Sequence, residues 1–186
     1  MKKILKLVAM TLLAVVLTAC SGNKSTTNTN AETSTSETTT SAVAAVTETY
    51  KMTQSVDGGS QDIYFIVTYR EEEYEALEIR YETKFSADIA ELLKAQGREA
   101  VEQNFNDNLD AMIPGTNLFK EMDGVDVVST VDDQFVWHLT IKMDPKVVNF
   151  EELSATSFSF LADIKDTSPK QLLAGLNLVG FQKVSE

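Results

Sequence analysis

Alternating apolar and polar positions predict three β-strands between residues 47 and 85. Thr47–Val56 leads into Asp57-Gly58-Gly59-Ser60, a strong tight-turn sequence. The run Ile63–Tyr69 that follows carries apolar side chains on both faces, which indicates a central position in a sheet. From Leu77 to Phe85, apolar residues alternate with charged ones, as in a strand with one buried face. These strands are expected to form an antiparallel meander.

The spacing then changes to threes and fours, which predicts a long amphipathic helix after the meander. Ser86 is expected to cap its start, Gly97 to kink it or divide it in two, and Pro114-Gly115 to end it. The apolar face of this helix comprises Ile89, Leu92, Leu93, Val101, Phe105, Leu109 and Met112.

A second hairpin and a capped helix complete the predicted fold. Val125–Val131 and Phe135–Met143 are expected to pair across a turn at Asp132-Asp133. Ser168-Pro169-Lys170-Gln171 is typical of a helix start, and Phe181–Val184 is expected to return as an edge strand. The predicted fold class is α+β: a mostly antiparallel sheet of about five or six strands, with one long helix and a C-terminal helix packed on one face.

The N-terminal stretch has the organisation of a secretory signal. Lys2, Lys3 and Lys6 precede an apolar run of 11 residues from Leu7 to Leu17, broken only by Thr11. A membrane-spanning helix needs about 20 such residues, so this run is short for a permanent span. Leu17-Thr18-Ala19-Cys20 resembles the bacterial lipobox at all four positions. The resemblance implies lipidation of Cys20 and cleavage between Ala19 and Cys20.

A lipidated Cys20 would attach the chain to a membrane on its extracytoplasmic side. One acyl chain anchors a protein only marginally, whereas the two chains of a diacylglyceryl group anchor it stably. The following segment, residues 21–41, contains 13 Ser or Thr residues out of 21 and is expected to be a disordered tether. The predicted organisation is a signal peptide (1–19), a lipidated cysteine and tether (20–46) and a folded domain (47–186). Such tethers are common in surface lipoproteins of Gram-positive bacteria.

Charge and cysteine content restrict the chemistry of the domain. The net charge is −12, and removing the leader, which carries three lysines and no acid, takes it to −15. An acidic surface argues against nucleic-acid partners. Cys20 is the only cysteine, so the domain is expected to have neither disulfides nor a thiol nucleophile.

The layout of the domain resembles that of the YehR-like lipoproteins, a group of small bacterial envelope proteins. The resemblance rests on the order of three strands, helix and hairpin, followed by a capped helix that runs into Gly180-Phe181-Gln182-Lys183-Val184. It covers roughly residues 47 to 186. It implies an antiparallel sheet with helices, and it supplies no catalytic residues that could be transferred.

Several groups of residues could in principle take part in catalysis or in ligand or metal binding, and for each a structural role is preferred. No catalytic, cofactor-binding or metal-binding residue is predicted. The groups are the single histidine His138; the calcium-loop-like Asn106-x-Asn108-x-Asp110; the acids Asp123, Asp126, Asp132 and Asp133; the run Glu71-Glu72-Glu73; and the aromatics Tyr64, Tyr69, Tyr74, Tyr81 and Trp137.

The favoured hypothesis is therefore a non-enzymatic lipoprotein that binds an envelope protein or a small ligand through an exposed sheet face or groove. The alternative is an envelope hydrolase that uses paired carboxylates. A receptor of an import system is a third possibility, although about 140 residues is short for two lobes that close on a ligand.

Overall fold

The computed structural model describes residues 43–156 and 158–184, and the domain in it is built on one six-stranded antiparallel sheet. The strand order is β4-β5-β3-β2-β1-β6, so the meander lies beside the second hairpin. The strands are β1 (Val46–Val56), β2 (Gly59–Arg70), β3 (Glu73–Phe85), β4 (Val125–Val131), β5 (Trp137–Met143) and β6 (Gln182–Lys183). With helices packed against this sheet, the predicted α+β class is confirmed.

The predicted long helix is wrong as one element, because the chain forms three consecutive helices there. Gly97 has a φ of 87°, which divides the first two helices, and Asn108 separates the second from the third. The helices of the domain are α1 (Ala87–Gln96), α2 (Arg98–Asp107), α3 (Leu109–Met112), α4 (Thr116–Glu121) and α5 (Pro169–Leu178). Three short 3₁₀ helices, Phe150–Ala155, Ser159–Leu161 and Ile164–Asp166, precede α5. Sequence patterns did not predict α4.

The apolar positions of the first helices are buried only in part. Val101 and Leu109 lie in the core, whereas Leu92 is 65% exposed and Met112 is 41% exposed. No residue of α1 is buried. The helical spacing was therefore correct for α2 and α3, but α1 contributes little to the core.

The core lies between the helices and one face of the sheet, here called the core face. Strand register places its members in lateral rows, such as Phe65 beside Ile79 and Ile79 beside Ile141. Phe105 of α2 packs against Trp137 with ring centroids 5.6 Å apart. The core-face residues buried in the strands are Tyr50, Phe65, Val67, Leu77, Ile79, Val131, Trp137, Leu139, Ile141 and Met143.

The turn between β4 and β5 is longer than predicted. β5 begins at Trp137 rather than Phe135, because Phe135 has a φ of 60° and belongs to the turn. The Asp132 carboxylate accepts hydrogen bonds from the backbone N–H groups of Gln134 and Val136, each at 2.8 Å, and so fixes this turn.

Among the described residues, no helix is both long and apolar enough to cross a bilayer.

The C-terminal segment is held by a capped helix and an ion pair. The predicted capping box is present: Ser168 and Gln171 exchange hydrogen bonds at the start of α5. After α5, β6 pairs with Tyr50 and Lys51 at the sheet edge, and the Val184 N–H donates to the Thr49 carbonyl. The predicted edge strand is thus confirmed, although it is only two residues long.

Glu48 connects β6 to the sheet through side chains. Its carboxylate lies 2.8 Å from the Lys183 ammonium and accepts hydrogen bonds from the hydroxyls of Tyr69 and Tyr50. Lys183 is the main cause that lowers the pKa of Glu48 below its ordinary value, and this outweighs the opposing effect of partial burial. The charged carboxylate therefore stabilises the folded state.

We predict that Glu48→Gln lowers the free energy of unfolding by about 1 kcal/mol, because charge-assisted hydrogen bonds become ordinary ones. Amide exchange at Val184 should become faster in the variant. Since the pKa of Glu48 is lower when folded, its stabilisation is present above its ordinary pKa of 4.5 and is lost as the pH falls below that value. Denaturant unfolding between pH 7 and pH 3 measures this, with the exposed Glu91→Gln as control. An equal effect of both substitutions would contradict the assignment.

Candidate functional site

The second face of the sheet, here called the open face, is covered by no helix in the described part of the chain. Apart from Asp62, its side chains are exposed or half-buried. Strand register assigns to it Thr49, Lys51 and Thr53 of β1; Asp62, Tyr64 and Ile66 of β2; Glu78, Arg80 and Glu82 of β3; Asp126, Val128 and Thr130 of β4; and His138, Thr140 and Lys142 of β5. A broad polar surface with a few apolar side chains results.

A buried carboxylate organises one half of the open face. Asp62 is 8% exposed and accepts a 2.6 Å hydrogen bond from the Thr53 hydroxyl. The ammonium groups of Lys51 and Lys84 lie 3.0 and 3.5 Å from the same carboxylate. The Thr53 hydrogen bond and the two lysines lower the pKa of Asp62 against the opposing effect of its burial. Lys51 also lies over the Tyr64 ring, 5.3 Å from its centroid.

A groove of about 470 Å³ occupies the other half of the open face. Ile66 and Ala76 supply apolar side chains, and Lys142 lies between Glu78 and Asp126 in strand register. Glu75 and Asp144 add two further carboxylates at one end of the groove. Of these acids, Glu75 is paired with Arg70 and Glu78 with Arg80, whereas Asp126 has no ion-pair partner among the described residues. The groove is therefore apolar along its base and acidic at its rim.

His138 lies on the open face, as its alternation with Trp137 predicted. Its Nε2 is 3.1 Å from a carboxylate oxygen of Asp132. Partial burial works to raise the pKa of Asp132, but hydrogen bonds from Val136, His138 and Gln134 outweigh it and hold the pKa below its ordinary value. His138 thus supports the β4–β5 turn, and its lack of a catalytic role stays a prediction.

The four aspartates considered for a cation site do not meet, so that grouping is wrong. Asp123 and Asp126 lie at the start of β4, whereas Asp132 and Asp133 lie beyond its end. A seven-residue strand separates the two pairs, which corresponds to roughly 20 Å. Within the described ranges, no three His, Cys, Asp or Glu side chains are placed to share a metal ion.

The calcium-like spacing falls on helices, as its apolar pattern indicated. Asn106 belongs to α2, Asn108 ends it and Asp110 belongs to α3. The Asp110 carboxylate accepts hydrogen bonds from the backbone N–H groups of Gly115 and Asn117 at the start of α4. One oxygen of this carboxylate, Oδ1, is therefore already bound to two backbone N–H groups.

The aromatic residues do not form one stacking surface. Tyr64 lies on the open face, whereas Tyr81 and Trp137 lie on the core face, where burial raises the pKa of Tyr81. The Tyr74 hydroxyl donates to the Thr167 carbonyl, and burial together with Glu72 raises the pKa of Tyr74 to about 12. Tyr69 bonds Glu48, as described above.

Of two other predicted features, the structure describes the run of three glutamates but not the lipidation and cleavage site. Glu71 has a φ of 56° in the β2–β3 turn, and the Glu72 Oε1 atom lies 3.7 Å from the Lys170 Nζ atom. Glu73 begins β3, so the acidic run is a turn, as predicted. Ala19 and Cys20 lie outside the described residues, and their roles stay predictions.

Sequence reasoning missed the groove. Its lining comes from two hairpins, β2–β3 and β4–β5, that are distant in the sequence, and only the pairing of β3 with β5 brings Ile66, Glu78, Lys142 and Asp126 into one row. The apolar residues on the second face of β2, Tyr64 and Ile66, were the available signal. They were interpreted as a mark of a central strand, and they also mark this uncovered surface.

Two solved structures share this architecture. The NMR structure of a protein from Streptococcus pneumoniae TIGR4 has a TM-score of 0.51 at 15% sequence identity, covering 89% of this chain and 99% of that one. The NMR structure of the E. coli YehR protein has a TM-score of 0.50 at 19% identity, covering 76% of this chain and 94% of that one. The chain has a YehR-like fold. No family model and no curated protein matches the sequence.

These similarities confirm the predicted resemblance at the level of the fold. The long coverage of both neighbours means that sheet and helices match as a whole, while identities below one in five carry no residue roles across. The function of this chain must therefore be inferred from its own residues.

We predict that Asp62→Ala lowers the free energy of unfolding by about 1–2 kcal/mol, because Lys51 and Lys84 lose their shared counter-charge and Thr53 its acceptor. The difference from the unmodified protein should shrink as the pH falls below 3.8, since the lowered pKa of Asp62 makes its contribution present above that value and lost below it. Denaturant unfolding measures both. Asp126→Ala, on the same face but without an ion pair, should change stability by less than about 0.5 kcal/mol. A larger effect at Asp126 than at Asp62 would contradict this description.

Proposed function

We propose that this protein is a lipid-anchored, extracytoplasmic binding module of a bacterial cell envelope, related to the YehR-like lipoproteins, and that it is not an enzyme. Cys20 is the attachment point, and cleavage falls between Ala19 and Cys20. The membrane is thus one partner, held through lipid. The second partner, an envelope protein or a small ligand, binds to the folded domain.

The single observation that carries the attachment is the sequence Leu17-Thr18-Ala19-Cys20 after a basic and apolar leader. The only cysteine of the chain stands at the one position where the lipobox requires it. Residues 21–41, rich in Ser and Thr, then separate this cysteine from the first strand, which starts at Val46. In this proposal they act as the tether that holds the domain clear of the headgroups.

The open face supports the binding role. A sheet face that no helix covers, with a groove on it, is a common form of interaction surface. Its residues are held in a fixed geometry by the sheet and by ion pairs such as Lys51–Asp62. A partner would therefore meet a preformed surface and lose little free energy to ordering it.

Metabolic labelling with a clickable palmitate analogue tests the attachment. The unmodified protein should take up label and sediment with membranes, and Cys20→Ala should lose both properties, because the acylated thiol is gone. Ser21→Ala, at the next position, is the matched control and should behave like the unmodified protein. Label retained by Cys20→Ala, or an unmodified protein found wholly without label, would contradict the proposal.

A further inference from the structure

The outer edge of β4 has an alternating set of backbone groups that point away from the sheet. Asp132 N–H bonds to the Val136 carbonyl, and Asp144 N–H bonds to the Gly124 carbonyl, so residues 124 and 132 face β5. Hydrogen-bonded and non-bonded positions alternate along an antiparallel pair. Even-numbered residues of β4 therefore bond to β5, and the N–H and C=O groups of odd-numbered residues face outward.

Both ends of this edge are closed by the protein itself. At one end, the Glu102 carboxylate accepts from the Val131 N–H at 2.8 Å, and Arg98 donates to the Val131 carbonyl at 3.2 Å. At the other end, the Val125 N–H donates to the Met122 carbonyl. Val127 and Ser129 lie between these ends, and their outward groups have no backbone or side-chain partner in the described part of the chain. Unpaired N–H and C=O groups at a sheet edge can pair with another chain, so this short stretch between two capped ends is the part of the β4 edge that is free to accept an added strand.

The side chains next to this stretch indicate which partner fits. Val128 is 46% exposed on the open face, flanked by the exposed Asp126 and Thr130. Val125 and Asp126 also line the groove, whose rim carries four carboxylates and one lysine. A strand added along β4 would place alternate side chains beside this apolar and acidic surface. Because successive side chains of a strand point to opposite faces, basic side chains at every second position would lie on the open face beside these acids, and the apolar ones between them would lie on the other face.

We propose that the edge of β4 binds an extended, basic segment of another protein as an added strand. Outward groups of Val127 and Ser129 supply the backbone hydrogen bonds, Val128 packs against the aliphatic stems of the basic side chains, and the groove acids select positive charge. A second copy of this chain is a poorer occupant, because both copies carry the same strongly acidic surface. This inference depends on the binding role proposed above and is independent of the lipid anchor.

The test uses the protein isolated from cells in a neutral detergent and a synthetic peptide of alternating lysine and valine. At saturating peptide, hydrogen exchange at the Val127 and Ser129 amides should slow at least tenfold, because these donors become paired. The Val128 amide, already bonded to β5, is the internal reference and should change little. Residue-resolved exchange by mass spectrometry measures this.

Two controls separate strand addition from general charge attraction. The same peptide with alternate backbone nitrogens methylated cannot pair, and it should bind at least tenfold more weakly. Asp126→Lys should weaken binding of the unmethylated peptide at least tenfold, whereas Glu91→Lys on the exposed helix α1 should leave its binding unchanged.

Three results would overturn the proposal: no binding of the lysine–valine peptide, equal binding of a glutamate–valine peptide, or binding without protection of Val127 and Ser129. Protection of these amides without peptide, together with a dimer in sedimentation, would assign the edge to a second copy and also overturn it. Because palmitate labelling reads Cys20 alone, a failed peptide test would leave the anchoring result standing.

Discussion

The matched register of five strands is the constraint on which the rest of the structure depends. Side chains alternate with a period of two, so a shift of one residue in any strand would move its apolar side chains to the opposite face. In this domain, Phe65 aligns with Ile79 across the β2–β3 turn, and Ile79 aligns with Ile141 through the pairing of β3 with β5, which no single turn connects. In the part of the chain that the structure describes, helices cover one face and no helix covers the other.

Polar contacts hold this arrangement where the apolar core ends. Glu48 fixes β6 at one edge of the sheet, Asp132 fixes the β4–β5 turn, and Asp62 is the shared counter-charge of two lysines on the open face. Each carboxylate has a lowered pKa, so each favours the folded state only while it is charged. The Asp62 contacts hold side chains of the open face in place, which is what a preformed binding surface requires.

Local signals in the sequence predicted much of this fold. The alternation in β2, β3 and β5 and the capping box at Ser168 depend on near neighbours, and the structure confirms them. The division at Gly97 was among the expected outcomes, whereas the second break at Asn108 was not. The exposure of Leu92 depends on tertiary packing, so periodicity overestimated how much of this helical region is buried. Asp126 and Asp132 were grouped because they are close in sequence, whereas an intervening strand holds them apart.

The candidate site was the least predictable part, for a physical reason. The groove and the free edge of β4 arise from lateral strand order and from side chains of α2 that reach Val131, and neither is written in a contiguous motif. The lipobox, in contrast, is four adjacent residues whose chemistry needs no fold to be recognised. The proposed attachment and the proposed binding therefore have separate bases, the first in the sequence and the second in the structure.

Among the described residues, helices cover one face of the sheet and leave the other free. Thiol labelling of Val128→Cys and Val131→Cys tests this arrangement most directly, because the same substitution is made on opposite faces of one strand. With the label located by mass spectrometry, position 128 should react at nearly the rate of the unfolded protein, and position 131 should react about a hundredfold more slowly or not at all. Equal rates at the two positions in the folded protein would contradict the account.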